Sequence, residues 1–194
     1  MLGIILCGGK SLRMEADKGL LVHQDELWAQ IALAKLSLLG IPVKLSVNPA
    51  QMLPYTAHFN AQQLIVDDPL INLNGPLLGL LSAHLRAPDE DLFLLACDLL
   101  LMEHRVLEKM LHSYRSMGGA EAYIFTKDGQ REPMCGIYTA KGLKNIMLKL
   151  QTTGLEKHSM KFMLGNLKVF EMELTGNDQL FFRNFNSHAD INGL

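Results

Sequence analysis

The chain has 194 residues, 48% of them hydrophobic and 20% charged, with a formal net charge of -2. That suits one globular domain with a full core and excludes a disordered or low-complexity protein. The near-neutral balance also excludes a protein that coats nucleic acid, so any anion site must be a local patch of cations.

The chain opens on Ile4 to Cys7, a short apolar run that reads as a buried strand. It empties into Gly8-Gly9, where the backbone can turn sharply and approach a ligand. Lys10, Ser11, Arg13 and Lys18 follow, a set of donors suited to a phosphate chain. Gly9-Lys10-Ser11 imitates the end of a P-loop, but Ile4 stands where that motif needs its first glycine. The dinucleotide G-x-G-x-x-G pattern fails as well, because Lys10 follows the glycine pair.

Leu27 to Leu36 repeats apolar residues at helical spacing, with Gly40 and Pro42 as its stop. Val43 to Val47 alternates as a strand and ends at Asn48-Pro49. Ala50 to Gln63 reads as a short helix or loop containing Pro54. Leu64 to Val66 is a strand that runs into Asp67-Asp68-Pro69. Leu77 to Leu85 reads as a buried helix. Leu92 to Cys97 is the most continuous strand, apolar on both faces as at the centre of a parallel sheet, with Asp98 at its exit.

Farther on, Glu103 to Met117 is a helix stopped by Gly118-Gly119. Ala122 to Phe125 and Gly136 to Tyr138 are strands around a polar turn from Lys127 to Glu132. Lys141 to Leu150 and Ser159 to Leu164 are helical, Val169 to Met172 is a strand, and Phe181 to Asn186 is expected to be a final strand with a loop. This β/α alternation predicts a three-layer, Rossmann-like α/β fold with a mainly parallel sheet. Ligands in such sheets collect beyond the carboxyl ends of the strands. That rule gathers Gly8 to Lys18, Asn48, Asp67-Asp68 and Asp98 on one edge.

Each of these residues has a plain structural reading beside the functional one. Asp98 is a helix cap, one half of an ion pair, or a magnesium ligand, since Mg²⁺ takes one or two carboxylates plus substrate phosphates and water. Asp68 before Pro69 is either a turn former or a nucleotide contact, with Asp67 as the neighbouring candidate. Asn48 is either an Asn-Pro turn or a nucleotide contact. Arg13 and Lys18 are either a solvated basic loop or phosphate ligands. Cys7, Cys97 and Cys135 are widely spaced, form no metal-ligand pattern and favour a reducing cytoplasm. No run approaches a membrane span, and the scattered histidines form no ligand spacing.

The opening stretch fits the pattern L-x-G-G-x-S-x-R-M-x-x-D-K, Cys97-Asp98 fits a C-D pair at a strand end, and Gly75-Pro76-Leu77-Leu78-Gly79 fits G-P-L-x-G. With these residues the chain resembles the molybdenum cofactor guanylyltransferase family. The resemblance covers most of the chain and implies one nucleotidyltransferase domain over residues 1–194. It implies that GTP is bound by Leu6, Cys7, Gly8, Gly9, Lys18, Asn48, Asp68 and Asp98. Arg13, Lys18 and Asp98 would be catalytic, with Mg²⁺ on Asp98. The terminal phosphate of molybdopterin, or of its metal-loaded form, would attack the α-phosphorus, releasing pyrophosphate and forming molybdopterin guanine dinucleotide.

By the same resemblance, Glu132 to Tyr138 would face the acceptor, and Asn184-Phe185-Asn186-Ser187 would match an N-x-N-T-P tail. GTP and molybdopterin are then the partners, with transient contact to molybdopterin-loading or acceptor proteins, and no nucleic acid or membrane. The chain departs from the pattern at Glu15, where glycine is usual, at Leu100, where proline is usual, and at His188 in place of the tail proline. Two other readings stay open: a related cytidylyl- or sugar-phosphate nucleotidyltransferase, and a non-catalytic nucleotide-binding module. Gly8 before Gly9 favours guanine over cytosine, since cytidine enzymes of this type usually carry alanine there.

Overall fold

The computed structural model describes residues 1–7 and 17–185. Gly8, Gly9, Lys10, Ser11, Arg13 and Glu15 lie outside the described residues, as do Asn186, Ser187 and His188.

Strands β1 (Leu2–Leu6), β4 (Val43–Val47), β5 (Leu64–Val66), β6 (Leu92–Ala96), β7 (Ala122–Lys127), β8 (Gln130–Tyr138) and β9 (Val169–Glu173) form one sheet. Its order is β5-β4-β1-β6-β8-β7-β9. The pairs β1–β4, β1–β6, β4–β5 and β7–β9 are parallel, and β8 is antiparallel to both neighbours. All strands but β8 therefore point the same way. β1 and β6 are buried at every residue, as continuous apolar runs in the middle of a covered sheet should be. A small hairpin, β2 (Val22–His23) with β3 (Glu26–Leu27), stands apart from the sheet.

Helices α1 (Trp28–Ser37) and α4 (His104–Ser116) cover one face, packing Ala32, Leu36, Leu107 and Met110 on Ile5, Phe93 and Leu95. Helices α3 (Pro76–Arg86), α5 (Ala140–Thr152) and α6 (Met160–Leu164) cover the other. There Leu80, Ile146 and Met163 meet Ile4, Leu94 and Ile124. Alternate residues of each central strand thus feed two separate cores, giving the three layers. A third, smaller cluster joins Leu21, Trp28, Leu100 and Phe185. Among the described residues no helix is long and apolar enough to cross a membrane.

Two local expectations need correction. The polar turn from Lys127 to Glu132 is only Asp128-Gly129, both at positive φ (50° and 70°), and the strands continue to either side of it. Asp-Gly is the residue pair that a tight hairpin turn of matching twist selects. Register slips between Ile124 and Phe125, which face Gly136 and Glu132, so residues 133–135 bulge away from β7. Pro133 has no N–H for the ladder there, and its carbonyl accepts from the Tyr138 hydroxyl at 2.7 Å instead.

The expected final strand is instead a 3-10 turn, Gly176–Phe182, with extended residues after it. Phe182 at the end of the turn and Phe185 beyond it are both buried, three residues apart, so the segment lacks the two-residue alternation of a strand. The segment from Ala50 to Gln63 resolves into a 3-10 turn Pro49–Gln51, helix α2 (Met52–Thr56) and a second turn Ala61–Gln63. Pro54 is tolerated because it sits in the first turn of α2, where its missing N–H has no intrahelical partner to lose.

Candidate active site

The carboxyl ends of β1, β4, β5 and β6 present Cys7, Asn48, Asp67 and Cys97-Asp98 at one edge of the sheet. Asp98 leaves the most buried strand and is held from both sides. The Phe185 N–H donates to its carbonyl at 3.3 Å, and Leu99 bonds back to Ala96 at 3.3 Å. Leu100, which replaces the usual proline, is buried in the Leu21–Trp28–Phe185 cluster, and its carbonyl accepts from the Lys35 ammonium. The departure is thus absorbed into packing that seats the Asp98 loop.

Lys18 begins a short 3-10 turn, Lys18–Leu20, and its ammonium donates to Asp98 Oδ2 at 2.9 Å. The two side chains are 17% and 19% exposed, so the pair is largely withdrawn from water yet reachable. A partly desolvated cation beside a carboxylate is what a triphosphate and its counter-ion can both use.

A network that the sequence reading did not single out anchors this lysine. Asp17 accepts from the Gly19 N–H and the Tyr55 hydroxyl through Oδ1, each at 3.0 Å, and from Gln51 Nε2 through Oδ2 at 2.7 Å. Gln51 Nε2 also donates to the Cys7 carbonyl at 3.0 Å, while its Oε1 accepts from the Asn48 N–H at 2.8 Å. Tyr55 is fully buried, and desolvation, then the neighbouring Cys7, Cys97 and Asp17, push its hydroxyl far above its ordinary pKa. The one available signal was Asn48-x-x-Gln51, the spacing of reciprocal capping.

Asn48 spends its side-chain oxygen Oδ1 on that cap, accepting from Ala50 and Gln51 N–H at 2.9 and 3.1 Å. Its side-chain amide nitrogen has no partner among the described residues.

The paired aspartates diverge. Asp68 Oδ1 accepts from Leu70 N–H at 2.9 Å, its own N–H donates to Ser82 Oγ at 2.8 Å, and it lines a cavity of about 510 Å³ with Met147, Leu150 and His158. None of Lys18, Asn48 or Asp98 borders that cavity. Asp67 turns the other way: a Cβ placed on Gly79 would lie 2.6 Å from Ser46 Oγ, 3.0 Å from Leu6 Cδ2 and 3.6 Å from Asp67 Oδ1. The Asp67 carboxyl is pushed up to about 6 by burial. No hydrogen bond to its side chain occurs among the described residues.

Cys7 and Cys97 follow paired positions of β1 and β6 and share one face of the sheet, both buried and unbridged. Contact with Cys7, then burial, holds the Cys97 thiol well above its ordinary pKa. Among the described residues no group of three or more His, Cys, Asp or Glu could hold a metal ion. Asp98 brings one carboxylate, and a hard cation there would be completed by phosphate oxygens and water, a set that Mg²⁺ accepts. Leu6 ends β1 at 4% exposure, within reach of the edge. Gly8, Gly9 and Arg13 lie outside the described residues.

Residues 3–167 match the model of the MobA-like NTP transferase domain. A probable molybdenum cofactor guanylyltransferase of Flavobacterium johnsoniae is 24% identical over 192 residues, covering 98% of this chain and 94% of that protein. The molybdenum cofactor guanylyltransferase of Pseudomonas entomophila is 30% identical over 186 residues, covering 95% and 92%. In structure, the molybdopterin-guanine dinucleotide biosynthesis protein A of Archaeoglobus fulgidus superposes with a TM-score of 0.78 at 18% identity, over 100% of this chain and 96% of that one, which bears on the fold alone. A sheet edge that carries the Lys18–Asp98 pair, and a match along nearly the whole chain, place this protein in the MobA-like NTP transferase family, among the molybdenum cofactor guanylyltransferases.

Proposed function

We propose that the chain transfers GMP from GTP to the terminal phosphate of molybdopterin, or of its metal-loaded form, releasing pyrophosphate and forming molybdopterin guanine dinucleotide. The observation that carries this reading is the Lys18–Asp98 pair, 2.9 Å apart at the exit of the central strands. Lys18, with Arg13, binds triphosphate oxygens and holds the α-phosphorus for in-line attack. Asp98 would hold Mg²⁺ through its carboxylate. The bound cation would neutralise phosphate charge and stabilise the departing pyrophosphate. The attacking phosphate is already ionised, so the reaction needs positioning and charge neutralisation rather than a strong general base.

Leu6, Cys7, Gly8 and Gly9 carry the nucleotide, with Asn48 offering its side-chain amide. Asp68, which the family pattern assigns to the nucleotide, already spends one carboxylate oxygen on Leu70. Asp67, whose carboxylate has no hydrogen-bond partner among the described residues, lies beside Ser46 and the start of α3, and is the better placed of the two. The amino end of β8, from Glu132 to Met134, lies beside the carboxyl end of β6 and offers the adjoining surface to the acceptor. The protein works in the cytoplasm, where it meets proteins that load molybdopterin or take up the finished cofactor.

The test is pyrophosphate release and dinucleotide formation by purified protein with molybdopterin, Mg²⁺ and each of the four nucleoside triphosphates. GTP alone should support turnover. Equal use of CTP would overturn the guanine assignment, and GTP binding without turnover would favour a non-catalytic module.

A further inference from the structure

We propose that Tyr55 and Gln51 are positioning residues for Lys18, acting through Asp17, and that they set how that lysine meets a nucleoside triphosphate. The inference rests on the functional reading above for the role of Lys18, but its structural half stands apart from it. Asp17 directly precedes Lys18, and its carboxylate is fixed by three donors from three directions. Rotation of that carboxylate, and with it of the turn Lys18–Leu20, is therefore blocked.

Gln51 makes the anchor rigid. Its side chain spans the end of β1 at the Cys7 carbonyl, the end of β4 at the Asn48 N–H, and Asp17, with every polar atom used. The lysine is thereby referred to two strands of the sheet and not to its own loop. Tyr55 closes the arrangement from above. Its hydroxyl occupies the space over Gly19, where a Cβ would lie 2.1 Å from Tyr55 Oη, so the glycine is what lets the ring reach Asp17. None of these three side chains needs to touch the nucleotide. Their effect is to keep the Lys18 ammonium against Asp98 Oδ2, so that no reorganisation is required when phosphate arrives.

Two variants test this. Tyr55→Phe keeps the ring and removes one donor. Gln51→Glu keeps the shape and sets a second carboxylate against Asp17, which must share a proton to preserve the contact. Both are measured for turnover, KM for GTP and pH profile. Lys18 is followed separately by mass spectrometry after brief treatment with an amine-acylating reagent, without nucleotide. In both variants Lys18 should be acylated several-fold faster than in the wild type. Turnover should fall about tenfold, more than KM rises, as small misplacements of a charge-stabilising group do. Gln51→Glu should also recover activity as pH falls from 8 to 6, a dependence that a merely structural glutamine would not create.

Unchanged acylation of Lys18 in both variants overturns the positioning role, even in a protein that transfers no nucleotide. Faster acylation with wild-type turnover overturns its link to catalysis. A wild-type protein without transfer activity defeats the functional reading alone, and the labelling result still decides the anchor.

Discussion

Replacing Asp98 by Asn isolates charge from shape at the candidate active site. The 2.9 Å separation from Lys18 gives a gross attraction of roughly 6 kcal/mol at an effective dielectric of about 20. Withdrawing both groups from water offsets most of it, leaving a net contribution of about 1–2 kcal/mol. An asparagine oxygen can still accept from Lys18, so part of that remains, and the loss should be about 1 kcal/mol, or roughly 2–4 °C in Tm for a chain of this length. Turnover should fall much further, about 100- to 1000-fold, the range seen when one preorganised electrostatic group is removed from a transition state. The Mg²⁺ concentration for half-maximal activity should rise, because a neutral amide oxygen is a poor ligand for a hard cation. KM for GTP should change less, since Lys18 and Arg13 remain. Melting curves and steady-state rates on the same preparation are sufficient. Wild-type turnover with a small loss of Tm would show that Asp98 merely secures its loop, and the metal assignment would fall.

Gly19→Ala should destabilise the protein by about 1–3 kcal/mol in chemical denaturation, because the new methyl group must displace the Tyr55 hydroxyl 2.1 Å away. Leu100→Ala should cost about 2–3 kcal/mol by emptying part of the Leu21–Trp28–Phe185 cluster. Asp67→Asn should stabilise the protein at neutral pH. Burial holds the folded carboxyl near 6, so the wild type carries no penalty below pH 4, develops one between pH 4 and 6, and keeps it above. After allowance for its partial exposure the gain should be about 1–2 kcal/mol, seen as a Tm difference that appears across that window and vanishes at pH 3.5. The same variant should weaken GTP binding in calorimetry, because a neutral amide replaces the carboxylate offered to the nucleotide.

The central strands were legible because burial on both faces leaves an unbroken apolar run, as in Leu92 to Cys97. The edge they build followed from the strand-end rule, which gathers Lys18, Asn48 and Asp98 from distant parts of the chain. The hairpin at Asp128-Gly129 was drawn too wide, because the polar residues beside it, Lys127 and Gln130 to Glu132, look like loop while they pair as strand. The 3-10 turn over Gly176–Phe182 was hidden by adjacent aromatics that resemble a strand. Gln51 and Tyr55 went unseen for another reason. They belong to a segment without periodicity, and what matters about them is a contact with Asp17, more than thirty residues away.

The reversed strand β8 divides the working edge in two. To one side lie the ends of β1, β4 and β5; to the other rises the β7–β8 hairpin, whose last paired residues, Lys127 and Gln130, stand beyond the end of β6. Pro133 and the bulge uncouple that projection from the ladder below. The hairpin is thus a parapet whose height can change without shifting the floor. Adding or removing two residues on each arm preserves which side chains look inward, while Gly136 keeps the base tight against the Tyr123 carbonyl. One half of the edge can remain fixed while the other is refitted to differently shaped guests.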